Sequence, residues 1–178
     1  MPPADLKYLA HYPESLQAQV RPLAEARRLG DLLLRRHPDG HGIRTDGTLY
    51  EYAQSLKNEF MRQAQPIAKV QFDGKLHAVR HALGTHTTVS RVQGHKLKAR
   101  HEIRIASLFR DVPLPWLRMI VVHELAHLRV REHDKAFYAL CTHMEPAYHQ
   151  FEFDLRLYLT HLDTGGPALW ASTVALPP

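Results

Sequence analysis

The sequence predicts an α+β domain: helices first, a small antiparallel sheet in the middle, helices to the end. Three observations carry that expectation. Apolar residues recur at helical spacing before residue 63 and again after residue 116. Between them, segments at 67–72 and 102–109 alternate with the two-residue period of a strand. Strands and helices are segregated along the chain instead of alternating, which is the α+β pattern.

Residues 13–37 read as helix, with Leu16, Val20, Leu23, Leu29, Leu32 and Leu33 on one stripe. Pro22 lacks a backbone donor, so an interruption is expected there. The run from His37 to Gly42, HPDGHG, closes it with loop chemistry. A second helix is expected from Thr48 to about Gln63, with Thr48 and Glu51 at capping-box spacing and Leu49, Tyr52, Leu56 and Phe60 facing the core. Ile67–Phe72 then alternates, Asp73-Gly74 is a favoured hairpin turn, and Leu76–Val79 is the expected return strand. A second pair is expected from Thr87–Ser90 and Glu102–Phe109, with Ile103, Ile105 and Phe109 facing one way. Pro113 and Pro115 suit a first helical turn. The helix after them, Trp116–Leu128, is apolar on more than one face and should be buried. Helices near 134–144 and 146–162 follow, and the tail from about 163 to 178 is expected to be loose. No internal repeat is visible.

At 178 residues the chain has room for one domain with a real core, spanning 1–178. Its 44% hydrophobic and 23% charged residues argue against disorder. The net charge of +5 permits an acidic partner, but a solvated basic face accounts for it equally well, so charge alone does not call for nucleic acid. A single cysteine, Cys141, rules out an internal disulfide. The N-terminus lacks the pattern of a secretory signal, and no apolar run reaches the ~18 residues of a membrane span. A cytoplasmic protein with no membrane partner is expected; no pattern fixes its oligomeric state. The unusual feature is histidine, present 14 times, which directs attention to metal chemistry.

Within the buried helix lies His123-Glu124-Leu125-Ala126-His127, an HExxH motif. Residues four apart share a helix face, so two imidazoles can reach one metal ion at ~2.0–2.1 Å. Glu124, one residue after the first ligand, can touch a water on that ion without itself being a ligand. Zinc brings the pKa of such a water toward ~7, and the carboxylate takes its proton as it attacks carbon or phosphorus. Random placement of 14 histidines gives this motif roughly 0.05 times per chain, so context matters. The context is an apolar helix, a costly place for two imidazoles and a carboxylate that nothing satisfies.

A catalytic zinc usually takes three protein ligands and leaves a position open. His133 is the best third candidate, but ten residues from His123 is about 1000° of rotation, or about 280° after whole turns. The helix must therefore end within Arg129–Glu132 for His133 to return, and Asp134 can cap the helix after it. On spacing alone, His143, Glu145, His149 and Glu152 remain rivals. Another divalent ion can replace zinc in a histidine-rich site.

Met119–Leu128, then Glu132-His133-Asp134-Lys135-Ala136-Phe137, resembles the bacterial YgjP-like metallopeptidase-domain proteins, relatives of the WLM and SprT-like HExxH families. The resemblance extends through LGTHTTVSRVQGHKLKARHEIRIASLFRDVPLPWLR upstream and CTHMEPAYHQFEFDLRLYLT downstream. It implies a zincin-like fold, a small sheet packed on the metal-bearing helix, with His133 as third ligand. It also implies a hydrolase with a small-molecule or peptide substrate: a nucleotide (UTP) pyrophosphatase, or alternatively a peptidase. One departure is that Gly84-Thr85-His86-Thr87-Thr88-Val89-Ser90 stands where many wider relatives carry Trp-Gly-Ser.

The basic segment Arg91, His95, Lys96, Lys98, Arg100 can hold phosphates as point charges, or simply form a solvated hairpin. His86 and Arg91 precede the expected edge strand and are candidates to face the site, with Lys96 and Lys98. Tyr138 and Tyr148 can stabilise an oxyanion or merely line the core edge. His143 and His149 can orient ligands or be structural. Cys141 reads as a small hydrophobe. Two function classes follow: a metal-dependent hydrolase, or a non-catalytic module with structural zinc and a nucleic-acid-binding hairpin. Glu124 favours the hydrolase, because a structural site needs no base there.

Overall fold

The computed structural model of the chain describes residues 5–76 and 101–171. A 3-10 turn at Lys7–Leu9 leads into helices α1 (Glu14–Glu25), α2 (Leu29–Arg36) and α3 (Asp46–Phe60). Strands β1 (Ile67–Asp73) and β2 (His101–Ala106) follow. After a 3-10 turn at Ser107–Asp111 come α4 (Leu114–Ala126), α5 (Lys135–Met144) and α6 (Tyr148–Asp163). The helix–sheet–helix order is the one the sequence predicts.

The sheet departs from expectation in direction. Among the described residues β1 pairs with β2, and the pair is parallel: Val70 faces Ile103 and Phe72 faces Ile105. The described ladder partner of β1 is β2, far along the chain. A parallel pair needs a crossover of about a dozen residues or more, and 74–100 supplies that length. The expected strands at 76–79 and 87–90 fall wholly or largely outside the described residues. One face of the pair is apolar: Ile67, Val70, Phe72, Ile103 and Ile105 are all buried.

Two helix boundaries also move. Pro22 lies inside α1 instead of breaking it. The break comes at Arg27, whose φ of 54° reverses the chain. Arg28 N–H donates to Leu23 O and Arg27 N–H to Ala24 O, the paired bonds of a Schellman C-cap. A proline removes only one intrahelical bond, whereas a left-handed residue ends the helix. At α3 the N-cap is Thr45, not Thr48. Thr48 is the reciprocal partner: its N–H donates to Thr45 Oγ1 at 3.2 Å, and its hydroxyl accepts from Thr45 N–H at 3.3 Å. Starting early puts Asp46 in the first turn, where its carboxylate accepts from Phe72 N–H at 2.9 Å and ties α3 to β1.

The core is built around α4. Trp116, Leu117, Met119, Ile120, Val121, Val122, Leu125 and Ala126 are buried on all sides, against α3, α5, α6 and β2. Full burial of each larger side chain stabilises the fold by about 1.5–3 kcal/mol. Residues up to 171 are not loose as expected. Trp170 is buried edge-on to Trp116 at 5.1 Å, and its indole N–H donates to His37 O at 2.8 Å. Beneath it Asp154 accepts from Arg36 at 2.6 Å, His37 at 3.0 Å and Gln150 at 3.0 Å, joining α2 to α6.

His41 anchors the loop between α2 and α3. One ring nitrogen, Nε2, donates to Phe109 O at 2.7 Å while the other, Nδ1, accepts from Ile43 N–H at 3.0 Å. That pairing requires the neutral ring, and burial lowers its pKa from the usual 6.5. Below that value the unfolded chain takes up a proton that the folded one refuses. Stability should therefore fall as pH drops from about 6.5 toward 5. Urea midpoints across pH 5–8 check this, and the gap between wild type and His41→Gln should narrow as pH falls. Separately, Arg27→Gly removes a left-handed strain at an exposed position and should stabilise by about 0.5–1 kcal/mol, read as a higher urea midpoint.

Candidate metal centre

The fold delivers three imidazoles to one point. His123 lies in α4 and His127 is its C-cap residue, one turn further on. The helix ends at Ala126, and a turn carries the chain on, with Arg129 and Val130 N–H both donating to Ala126 O. The helix thus ends a little before the Arg129–Glu132 window that spacing requires. Asp134 then caps α5 by accepting from Phe137 N–H at 2.9 Å, as its position implied. Between the turn and this cap, His133 swings back over α4.

The Nε2 atom of His133 lies 3.2 Å from that of His123 and 3.0 Å from that of His127. The three nitrogens lie within 4.8 Å of one another. Tetrahedral bonds of ~2.0–2.1 Å place neighbouring ligands about 3.3–3.4 Å apart, so the spacing fits a first-row divalent ion. Lone pairs packed this closely repel one another unless a cation or shared proton lies among them. His123 and His127 are both buried, which sharpens the requirement.

The ring orientations are set from behind. His127 Nδ1 donates to Val130 O at 3.1 Å, because a carbonyl can only accept, and this leaves its Nε2 lone pair facing the cluster. His123 Nδ1 lies 2.7 Å from the Tyr148 hydroxyl. Burial pushes the Tyr148 phenol far above its ordinary value, with the Cys141, Glu152, Tyr138 and Glu124 charges adding to the shift, so it stays neutral. Phe137 is fully buried and packs against all three rings at 4.6–4.9 Å. Glu124, next to His123 in the helix, is half-buried.

The rivals for the third position are occupied elsewhere. Glu145 pairs with Arg118 at 2.8 Å, Glu152 with Arg156 at 3.0 Å. His143 is exposed and packs on Phe60; His149 is exposed beside Tyr138. His86, Arg91, Lys96 and Lys98, with His95 and Arg100, fall outside the described residues. Sequence reasoning weighed Tyr148 only as an oxyanion group or core-edge residue and overlooked Phe137. The available signal for Phe137 was its place three residues after the capping Asp134, where an apolar side chain turns inward.

An HExxH helix facing a third histidine defines the class of metal-dependent hydrolases. The chain belongs to the YgjP-like, metallopeptidase domain family, whose profile matches residues 40–158. It is also 59% identical over 162 residues to an Escherichia coli (strain K12) protein described as UTP pyrophosphatase, covering 91% of this chain and 97% of that one. No solved structure matches it. Among the described residues no helix is long and apolar enough to cross a membrane.

Cys141 packs in α5 near this centre, fully buried, and burial pushes its thiol up to about 12. It is a core residue and not a nucleophile. Native protein at pH 8 should be alkylated by iodoacetamide at least roughly a hundredfold more slowly than protein in urea, measured by mass spectrometry.

Proposed function

We propose that the chain is a cytoplasmic zinc-dependent hydrolase that cleaves UTP to UMP and pyrophosphate, with His123, His127 and His133 holding the ion and Glu124 acting as general base. The convergence of three imidazole nitrogens beside a half-buried glutamate carries this reading. The relative described as UTP pyrophosphatase supports the substrate. Three neutral imidazoles suit zinc, although they accept other first-row ions too. When bound, zinc supplies a Lewis acid that brings the pKa of water toward ~7.

Each residue then has a defined task. The Val130 carbonyl holds His127 in the tautomer that leaves Nε2 free. Glu124 takes the proton from the attacking water and can return it to the leaving group. Phe137 closes the floor behind the three rings and keeps water from entering there. The triphosphate needs cations, and the segment containing His86, Arg91, Lys96 and Lys98 supplies them in the sequence. The family description favours a second reading, hydrolysis of a peptide bond by the same base and ion.

Pyrophosphate release from UTP, measured with zinc-loaded protein, separates these readings. Wild type should turn over, chelation should abolish activity, and added zinc should restore it. Glu124→Gln should lose at least about a hundredfold in kcat with metal content unchanged. Lys96→Ala with Lys98→Ala should raise KM for UTP. A metal-loaded wild type inert toward UTP but active on a peptide library would replace the nucleotide reading with the peptidase one.

A further inference from the structure

Tyr148 is chemically underused as a core residue. It is 1% exposed, sits in the first turn of α6, and places its hydroxyl 2.7 Å from His123 Nδ1. Its ring lies nearly parallel to that imidazole, with an interplanar angle of 12°. A buried aromatic needs no hydroxyl to fill space, and a buried hydroxyl without a partner is costly.

Consider what His123 must do as a ligand. A neutral imidazole carries one proton, and Nε2 must offer a lone pair to the ion, so the proton belongs on Nδ1. For His127 the acceptor of that proton is the Val130 carbonyl, supplied by the turn that ends α4. His123 lies in the helix body, with no turn carbonyl beside it like that of Val130. The partner at its Nδ1 comes from another element: α6 brings the Tyr148 hydroxyl there.

We propose that Tyr148 is a positioning residue for the metal centre: its hydroxyl oxygen accepts the Nδ1–H of His123 and so fixes the tautomer and ring angle that present Nε2 to the ion. The inference rests on His123 being a ligand. It does not depend on the substrate. Partners of this kind typically contribute 10–100-fold to metal affinity.

The test is metal affinity, measured for apoprotein by competition with a chromophoric zinc chelator. Tyr148→Phe keeps the ring and removes the acceptor; its zinc dissociation constant should rise 10–100-fold. Tyr158→Phe is the control. It removes the hydroxyl of another buried tyrosine of α6, away from the three imidazoles, and should leave zinc affinity within twofold even where it lowers the melting temperature. If both variants weaken zinc in proportion to their loss of stability, Tyr148 is structural only and the proposal falls. Should Tyr148→Phe not fold, wild-type apoprotein still decides. A long-range proton–nitrogen spectrum should show His123 protonated at Nδ1, and protonation at Nε2 overturns the assignment. Wild type that binds no metal overturns the ligand reading as well, whereas tight binding unaffected by Tyr148→Phe overturns this inference alone.

Discussion

Three imidazole nitrogens must meet at one point although no single helix can present all three. That constraint shapes the surrounding structure. His123 and His127 share a face of α4, but His133 would point elsewhere on an unbroken helix. The helix therefore stops at Ala126, and the chain turns until Asp134 starts α5 in a new direction. The Asp134 cap sets the start of α5, which puts Phe137 beneath all three rings. Helix termination, which elsewhere is only a matter of satisfying backbone groups, here creates the site.

The position of the site within the core has its own consequences. α4 is buried on nearly every side, so its polar residues lie in a low-dielectric setting where their interactions are strong and orphaned groups are costly. Each imidazole accordingly finds its partner in whatever element lies behind it: a turn carbonyl for His127 and the first turn of α6 for His123. Position within α6 therefore matters for the centre. At its middle that helix is braced by Asp154, which collects Arg36, His37 and Gln150, and Trp170 covers the neighbouring His37 carbonyl. This bracing joins the N-terminal helices and the residues after α6 to the element that carries Tyr148.

Some of this was plain in the residues. HExxH on an all-round apolar helix implies a ligand pair inside the core, because four-residue spacing and burial are both local properties. The return of His133 followed from helix rotation, and the Asp134 cap from side-chain chemistry at the next helix start. The basic segment was legible as charge, which is a property of composition. Errors arose where two local signals competed. An interruption was expected at Pro22 because proline's effect is visible in the sequence, while the left-handed Arg27 is set by the bonds of a Schellman cap. Thr48 was expected as N-cap from its spacing to Glu51, whereas the helix starts at Thr45 and its first turn reaches β1 through Asp46 and Phe72. Asp73-Gly74 implied a hairpin whose return strand lies almost wholly outside the described residues, while the described partner of β1 is a strand more than a dozen residues later.

The sequence by itself determined the order of the elements, the burial of α4, the two histidines on one helix face with a glutamate between them, and the rotation that keeps His133 off that face of an unbroken helix. Each depends on periodicity or on groups within about ten residues of one another. Tertiary structure alone decided the parallel direction of the sheet, the packing of Trp170 and the Phe137 floor under the imidazoles. It also assigned Tyr148 to His123, a contact across 25 positions of sequence. The physical reason is common to them: each depends on which surfaces meet when helices pack, and a one-dimensional pattern specifies which faces are apolar without specifying the partner that covers them.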